Sequence, residues 1–191
     1  MQGRTLDIPG PMAKRSYEKH SKHIKDAAVL EAKESMSAAV KEVQEINNSQ
    51  EDALADIAIT IDGTWMKQGH SSLYGAVFAL SWQTGKVVDY EVKSKFCYEC
   101  NYWDKQGERP LQDYLHSKAS PVCNITHKRS ANSMEMQGTT DIYSQSTEQN
   151  QLRYVTMISD GDCKNHASVV ELKPYDDIAV AKEDCVGHVQ K

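Results

Sequence analysis

The sequence predicts an α/β protein in which a mixed β-sheet is flanked by helices. Two apolar β-rich runs are separated only by the turn Gln83-Thr84-Gly85-Lys86, which is typical of an antiparallel meander. Helical patterns then alternate with a further apolar run, which favours a mixed sheet over an all-β or all-helical fold. The predicted strands cover 56–62, 74–81, 87–92 and 154–158, and the predicted helices of this part cover 134–150 and 164–172.

Composition restricts the class of protein. The chain has 191 residues, 39% of them hydrophobic and 26% charged, with a formal net charge of −5, which is the profile of a soluble globular domain with an appendage. No apolar run approaches the roughly 18 residues of a membrane span, so we expect no membrane partner. The N-terminus has no apolar segment of the secretory kind. Because the cysteines number five and no export signal precedes them, metal binding or free thiols are favoured over a disulfide framework.

The first 50 residues predict a helical leader region. Between Pro11 and Asn47 there is no glycine or further proline, and apolar residues such as Val29, Met36 and Val40 recur at helical spacing. The pattern predicts one or two charged, amphipathic helices that act as an appendage for docking or recognition, outside the core. Basic residues close to i, i+4 spacing predict a DNA-binding stripe, with an ordinary solvated helix face as an equal alternative. The stripe residues are Lys14, Arg15, Lys19, Lys22 and Lys25.

Cysteine and histidine spacing in the polar stretch at about 97–132 predicts a structural zinc site. Cys97 and Cys100 form a CxxC motif, and Cys123 and His127 form a CxxxH motif 22 residues later. Together they supply the four ligands of a closed tetrahedral Zn²⁺ site, which would stabilise a loop with few apolar residues. His116 is a substitute ligand. Exposed thiols without a metal are the alternative.

Two carboxylates stand where predicted strands end. Asp62 precedes Gly63 after the first strand, and Asp160 precedes Gly161 after the fourth. If these strands are neighbours, their terminal carboxylates meet, and Mg²⁺ is commonly held by one or two such groups together with substrate phosphate. Asp-Gly is also ordinary turn chemistry, and the two interpretations have about equal weight.

The combination of these motifs resembles one known family. The stretch from Asp56 to Lys191 resembles the catalytic domain of Mutator-like transposases, in the lineage found as transposable elements in animal genomes. The matching words are IDGTWMKQGHSS at 61–72, TGKVVDYEVKSKFCYEC at 84–100, CNITH at 123–127, SMEMQG at 133–138, LRYVTMISDGDCK at 152–164, VVELKPY at 169–175 and EDCVGHVQK at 183–191. The leader resembles the same family more loosely.

The resemblance implies a ribonuclease-H-like fold at 56–191 and DDE-type chemistry with Mg²⁺ or Mn²⁺. The family's first two catalytic acids fall on Asp62 and Asp160, with Asp162 as a near alternative to Asp160. The family's CxxH motif falls on Cys185 and His188, whose role stays open. Its third acid lies beyond that motif, whereas this sequence ends at Lys191. We therefore expect a partial catalytic domain with little or no activity by itself.

The implied partner is double-stranded DNA, both the transposon ends and the target, and a DNA substrate implies residence in the nucleus. Self-association into a homo-oligomer is a further expectation. The alternative function is a transposon-derived DNA-binding or scaffold protein that is inert in catalysis and keeps the zinc site. A small zinc-binding interaction module is a third hypothesis, which the predicted sheet and the paired Asp-Gly motifs disfavour.

Overall fold

The computed structural model describes residues 12–47, 53–67, 72–105, 123–159, 163–176 and 178–184. Its first element is a long helix, α1 (Lys14–Ile46). The chain divides into two compact units, Met1–Ser35 and Met36–Lys191. In the first unit every described residue from Met12 to Leu30 is exposed. In the second unit Ala39, Val40 and Val43 of the last turns of α1 are buried in the hydrophobic core, a role that the sequence pattern did not predict.

The described part of the chain contains one mixed sheet. Its strands are β1 (Ala55–Trp65), β2 (Tyr74–Ser81), β3 (Val87–Ser94), β4 (Leu152–Ser159) and β5 (Ala181–Asp184). They lie in the order β3-β2-β1-β4-β5. The first three strands pair antiparallel, β4 pairs parallel with β1, and β5 pairs parallel with β4. The predicted meander and the mixed sheet are therefore confirmed, while β5 is an addition at the sheet edge.

In the described part of the chain, three further helices follow the meander. They are α2 (Tyr98–Lys105), α3 (Asn132–Asn150) and α4 (Cys163–Leu172). The predictions of α3 and α4 are confirmed to within two residues, whereas α2 lies in a stretch for which no helix was predicted. Gly138 allows α3 to approach the sheet closely, since an added β-carbon there would lie 2.6 Å from Cγ2 of Val77. The core beneath α3 includes Ile59, Val77, Ile142 and Tyr143.

Polar contacts hold α3 against β3. The buried ammonium group of Lys93 binds the carboxylates of Glu91, at 2.9 Å, and of Asp141 on α3. The buried carboxylate of Asp89 accepts hydrogen bonds from Gln145 and Asn150 near the C-terminal end of α3. Because an uncompensated buried charge is costly, these pairings determine how α3 lies across the meander.

None of the described helices is both long enough and apolar enough to cross a bilayer.

Candidate metal sites

Three cysteines converge at the end of the meander. The sulfur atoms of Cys97, Cys100 and Cys123 all lie within 4.8 Å of one another, and the Cys100 and Cys123 sulfurs are 3.7 Å apart. Cys97 and Cys100 are buried, and Cys123 is half-buried. We call these three residues the cysteine cluster. Thiolates at such separations are the donors that zinc prefers, so the cluster could hold a zinc ion.

Local backbone structure forms the cysteine cluster. Cys97 directly precedes α2, and its carbonyl oxygen accepts the Asn101 N–H at 2.9 Å, so Cys100 lies one helical turn beyond Cys97. The chain returns at Cys123 because the following residues are bound to the end of β3. There the N–H groups of Thr126 and His127 both donate to the Ser94 carbonyl at 2.9 Å. The Ser94 N–H in turn donates to Thr126 Oγ1 at 2.8 Å.

Cys97 and Cys100 do not have the same acidity. Backbone hydrogen bonds from Cys100 and Asn124 lower the pKa of Cys97. Burial, together with hydrogen bonds with Cys123 and Cys97, raises the pKa of Cys100 to about 11. The neighbouring cysteines thus oppose ionisation of Cys100. A bound metal ion would overcome this opposition, because it stabilises each thiolate directly.

The fourth ligand predicted from the sequence, His127, does not belong to the cysteine cluster. Among the described residues the converging group consists of the three cysteines. The His127 ring is buried and its Nε2 is engaged elsewhere, 3.0 Å from the Ser130 carbonyl oxygen and 2.9 Å from Ser133 Oγ. The CxxxH spacing identified a suitable residue type, but Ser130, just before α3, and Ser133, in its first turn, bind the ring instead. His116, the substitute ligand, lies outside the described residues.

Asp62 lies inside β1 and does not end it. The strand continues to Trp65, and Gly63 pairs with Val77 where a turn was an equal expectation. The extension occurs because β2 continues alongside β1. The Trp65 ring also fills the space over Gly75, since a β-carbon added to Gly75 would lie 2.1 Å from Cζ3 of Trp65. The last described pair of β1 with β4, in contrast, is Thr60 with Ile158. Asp62 is exposed and stands two residues beyond that last pair.

A glutamate from α3 lies over Gly63, the residue that follows Asp62 in β1. A β-carbon added to Gly63 would be 3.2 Å from Cγ, Cδ and Oε2 of Glu135. Oε1 of Glu135 accepts a hydrogen bond from the buried Asn165 of α4 at 2.8 Å. We call Asp62 and Gly63, together with Glu135 and Asn165, the acidic strand end. Sequence reasoning missed Glu135, although it is the central acid of the quoted SMEMQG motif.

Several predicted site residues cannot be placed. Asp160, its alternative Asp162, Cys185 and His188 all lie outside the described residues.

The predicted basic stripe lies on the exposed first part of α1. At about 100° per residue, Lys14, Arg15, Lys19, Lys22 and Lys25 fall within an arc of roughly 140°. Glu18 and Asp26 fall within the same arc, so its net charge is five minus two, or +3. Lys14 and Glu18 also form an ion pair at 3.7 Å. The stripe is therefore a continuous but partly compensated basic surface.

Comparison with curated proteins and with solved structures gave no match. The family model described as Mutator-like transposase matches residues 4–191, which is nearly the whole chain. The strand arrangement, the cysteine cluster and this match agree with the resemblance carried by the motifs. The chain therefore belongs to the Mutator-like transposase family.

Proposed function

We propose that this chain carries the DNA strand cleavage and transfer domain of a Mutator-like transposase, with Asp62 and Asp160 as metal-binding acids in a ribonuclease-H-like fold. Membership of the family implies transposition. One observation supports the location of the chemistry: β1 and β4 are parallel neighbours, and their last described pair is Thr60 with Ile158. If the same register is continued by two residues on each strand, positions 62 and 160 come level at one edge of the sheet.

The donor set fits a hard divalent cation. The Asp62 carboxylate is exposed, so it keeps its oxygens available to Mg²⁺ or Mn²⁺ and to substrate phosphate. Paired divalent ions in such sites stabilise the attacking and the leaving oxygen of phosphodiester displacement. In the proposed reaction, Asp62 and Asp160 hold the cations at the scissile phosphate, first for water attack at a transposon end and then for attack by the freed 3′-hydroxyl on target DNA.

The acidic site is tested by Mn²⁺ binding to the purified chain. Asp62→Asn removes one carboxylate charge without changing side-chain size, so we expect Mn²⁺ affinity to fall at least tenfold. Asp56→Asn is the matched control, because Asp56 is an exposed carboxylate on the same strand that pairs with Arg153 at 2.6 Å. Equal affinities of Asp62→Asn and wild type would contradict the proposed site.

We also propose that the cysteine cluster binds one structural Zn²⁺ through Cys97, Cys100 and Cys123. The convergence of the three sulfurs at the end of β3 supports this proposal. Without a metal ion, three ionisable thiols would lie against one another there. The fourth ligand is open, since His127 Nε2 is engaged by Ser130 and Ser133. A cobalt-substituted protein distinguishes three-sulfur from four-sulfur coordination by its charge-transfer and d–d absorption.

For residues 1–191 alone we expect no cleavage of DNA with Mg²⁺ or Mn²⁺. Two divalent ions bring four positive charges, and Asp62 with Asp160 offsets only two of them, so the cations would be poorly positioned. A labelled duplex carrying the transposon end is the substrate for this assay. Robust cleavage that Asp62→Asn abolishes would contradict the expectation and would show that the chain supplies its own further acid.

The alternative function is a DNA-binding or scaffold protein derived from a transposase and inert in catalysis. The exposed basic stripe of α1 favours retained duplex DNA binding in either case. The two functions differ at Asp62, because only the catalytic one needs Asp62-dependent metal binding. Nuclear residence and self-association into oligomers follow from a transposase acting on paired DNA ends, and both belong to this proposal.

A further inference from the structure

The helix α2 carries two exposed aromatic rings on one face. Tyr98 is 68% exposed, and Tyr102, one helical turn further on, is 48% exposed. At about 100° per residue, Tyr98, Tyr102 and Lys105 fall within an arc of roughly 60°, and Cys100 lies at least about 140° away from each of them. Cys100 is buried in the cysteine cluster, so these three residues lie on the opposite side of the helix. We call Tyr98, Tyr102 and Lys105 the tyrosine face.

The cysteine cluster holds the tyrosine face in place from behind. Cys97, just before α2, and Cys100, within it, are both buried, and the Cys97 carbonyl oxygen accepts the Asn101 N–H at 2.9 Å. A single exposed apolar side chain is ordinary, whereas two aromatic rings at i and i+4 are neighbours on a helix and form a patch. A patch of this kind on a fixed helix is typical of a binding surface.

Basic side chains lie beside the start of α2. The His127 N–H donates to the Ser94 carbonyl oxygen at 2.9 Å, so Lys95 and Lys128, each the next residue along the chain, lie at one junction. Arg129 follows, and Lys128 and Arg129 are both exposed. The charged residues of this region are Lys95, Lys105, Lys128 and Arg129 with Glu99 and Asp104. Their net charge is four minus two, or +2, which favours an anionic partner.

Aromatic rings next to cations are suited to single-stranded nucleic acid. The bases of an unpaired strand stack on exposed tyrosine rings, and its phosphates pair with lysine and arginine. A duplex does not offer the same contact, because its base faces are already stacked on one another. The pair of rings therefore selects an unpaired strand, while the positive charge attracts any polyanion.

We propose that the tyrosine face binds an unpaired DNA strand, with Tyr98 and Tyr102 stacking on bases and Lys105 contacting a phosphate. The inference rests on the proposed function in taking DNA as the partner, and it deepens that function by adding a surface for the strand that cleavage frees. It does not depend on the metal site at Asp62. It also differs from the basic stripe of α1, which lacks a pair of aromatic rings and has duplex DNA as its partner.

The test measures binding of a labelled oligo-dT strand of about 12 nucleotides to the full 191-residue chain by fluorescence anisotropy. Tyr98→Leu and Tyr102→Leu keep an apolar side chain but remove the ring, so we expect each to lower oligo-dT affinity at least about fivefold. Tyr98→Phe keeps the ring and should bind within about twofold of wild type. Lys105→Gln should make the log–log salt slope less negative by about 0.7.

Two controls accompany these variants. Trp82→Leu removes a 59% exposed ring in the turn after β2, outside the tyrosine face, and should bind oligo-dT as wild type. A labelled duplex should bind both tyrosine variants within about twofold of wild type, because paired bases hide their faces. Circular dichroism and zinc content establish that each variant keeps the fold and the cysteine cluster.

Normal oligo-dT affinity in Tyr98→Leu and Tyr102→Leu would overturn the proposal. An equal loss in Tyr98→Phe or in Trp82→Leu would also overturn it, because the effect would then not come from stacking on this face. The same holds for a loss that only follows lost zinc or unfolding, and for altered self-association at unchanged oligo-dT affinity. A wild-type chain that binds duplex but not oligo-dT contradicts the tyrosine face alone, whereas a chain that binds neither contradicts the proposed function as well.

Discussion

The sulfurs of the cysteine cluster lie within 4.8 Å of one another, whereas Asp62 stands exposed on β1, two residues beyond the last described pair of β1 with β4. The cluster is formed by local structure, since a helical turn and two backbone hydrogen bonds to Ser94 bring its residues together. The acidic strand end depends on contacts between distant elements, because α3 and α4 meet β1 through Glu135. The two candidate metal sites should therefore respond to different perturbations.

The largest expected effect is the loss of zinc from the cysteine cluster. Cys100→Ser replaces a buried sulfur ligand, and structural zinc contributes on the order of 10 kcal/mol to folding in zinc-finger peptides, so even a fraction of that lowers the melting temperature clearly. We expect zinc per chain, measured by elemental analysis under reducing conditions, to fall from one towards zero. A chelator should destabilise wild type and leave this variant unchanged.

His127→Ala is the matched control for that measurement. Because the ring Nε2 is engaged by Ser130 and Ser133, we expect this variant to retain zinc. A zinc-free His127→Ala protein would restore the four-ligand site predicted from the CxxxH spacing. In contrast, Asp62-dependent Mn²⁺ binding should survive Cys100→Ser in the folded protein, which would establish that the two sites are independent.

The second prediction concerns the pH dependence of the free energy of unfolding, which we expect Asp89, a hydrogen-bond partner of α3, to change. Desolvation raises the pKa of Asp89 from 3.8 to about 6. The folded protein therefore holds this proton more tightly than the unfolded chain, and the contribution of Asp89 to the free energy of unfolding decreases as pH rises from about 4 to above 6. The decrease amounts to about 3 kcal/mol for a shift of roughly two pH units.

Asp89→Asn isolates this effect from the other carboxylates. The variant cannot ionise, so the stability of Asp89→Asn minus that of wild type should rise by about 3 kcal/mol between pH 3.5 and pH 8. Urea unfolding at several pH values measures it. Any cost of losing the hydrogen bond that Asp89 Oδ2 accepts from Asn150 is independent of pH and cancels in the trend. A difference that stays constant with pH would contradict the prediction.

The sequence predicted the features that depend on local interactions and missed those that depend on contacts between distant elements. Alternating burial along β2 reproduces the strand pattern read from its residues, and the spacing of the three cysteines correctly placed them together. Asp62 was predicted to end its strand because Asp-Gly is a turn signal, but β2 continues alongside and pairs with Gly63, Thr64 and Trp65. β5 is short and polar, and it forms because the free edge of β4 supplies its hydrogen-bond partners, which no periodicity reveals.

The third prediction tests the contact over Gly63. In Gly63→Ala the new methyl group would lie 3.2 Å from three atoms of Glu135, so the glutamate must shift by a few tenths of an ångström. Overpacking of this kind costs about 1 kcal/mol at the lower end of its range. We expect the free energy of unfolding to fall by about 1 kcal/mol, measured by urea unfolding, while zinc content stays constant. In a Glu135→Ala background the methyl group has room, so adding Gly63→Ala should change nothing further, and an equal loss in both backgrounds would contradict the contact.

The smallest effect per residue is expected on the basic stripe of α1, whose side chains are all exposed and are not held by packing. Exposed charges are screened by salt, so each should contribute through counterion release alone. We expect duplex DNA affinity to fall with salt at a log–log slope of about −3 to −4, and replacement of all five stripe residues by Gln to bring the slope close to zero. Lys41→Gln, an exposed lysine further along α1, should leave the slope within about one unit of wild type. Fluorescence anisotropy with a labelled duplex at four or more salt concentrations measures these slopes. A slope that persists in the five-residue variant would place the DNA contact elsewhere and would make the acidic strand end, rather than the helix, the first surface to search.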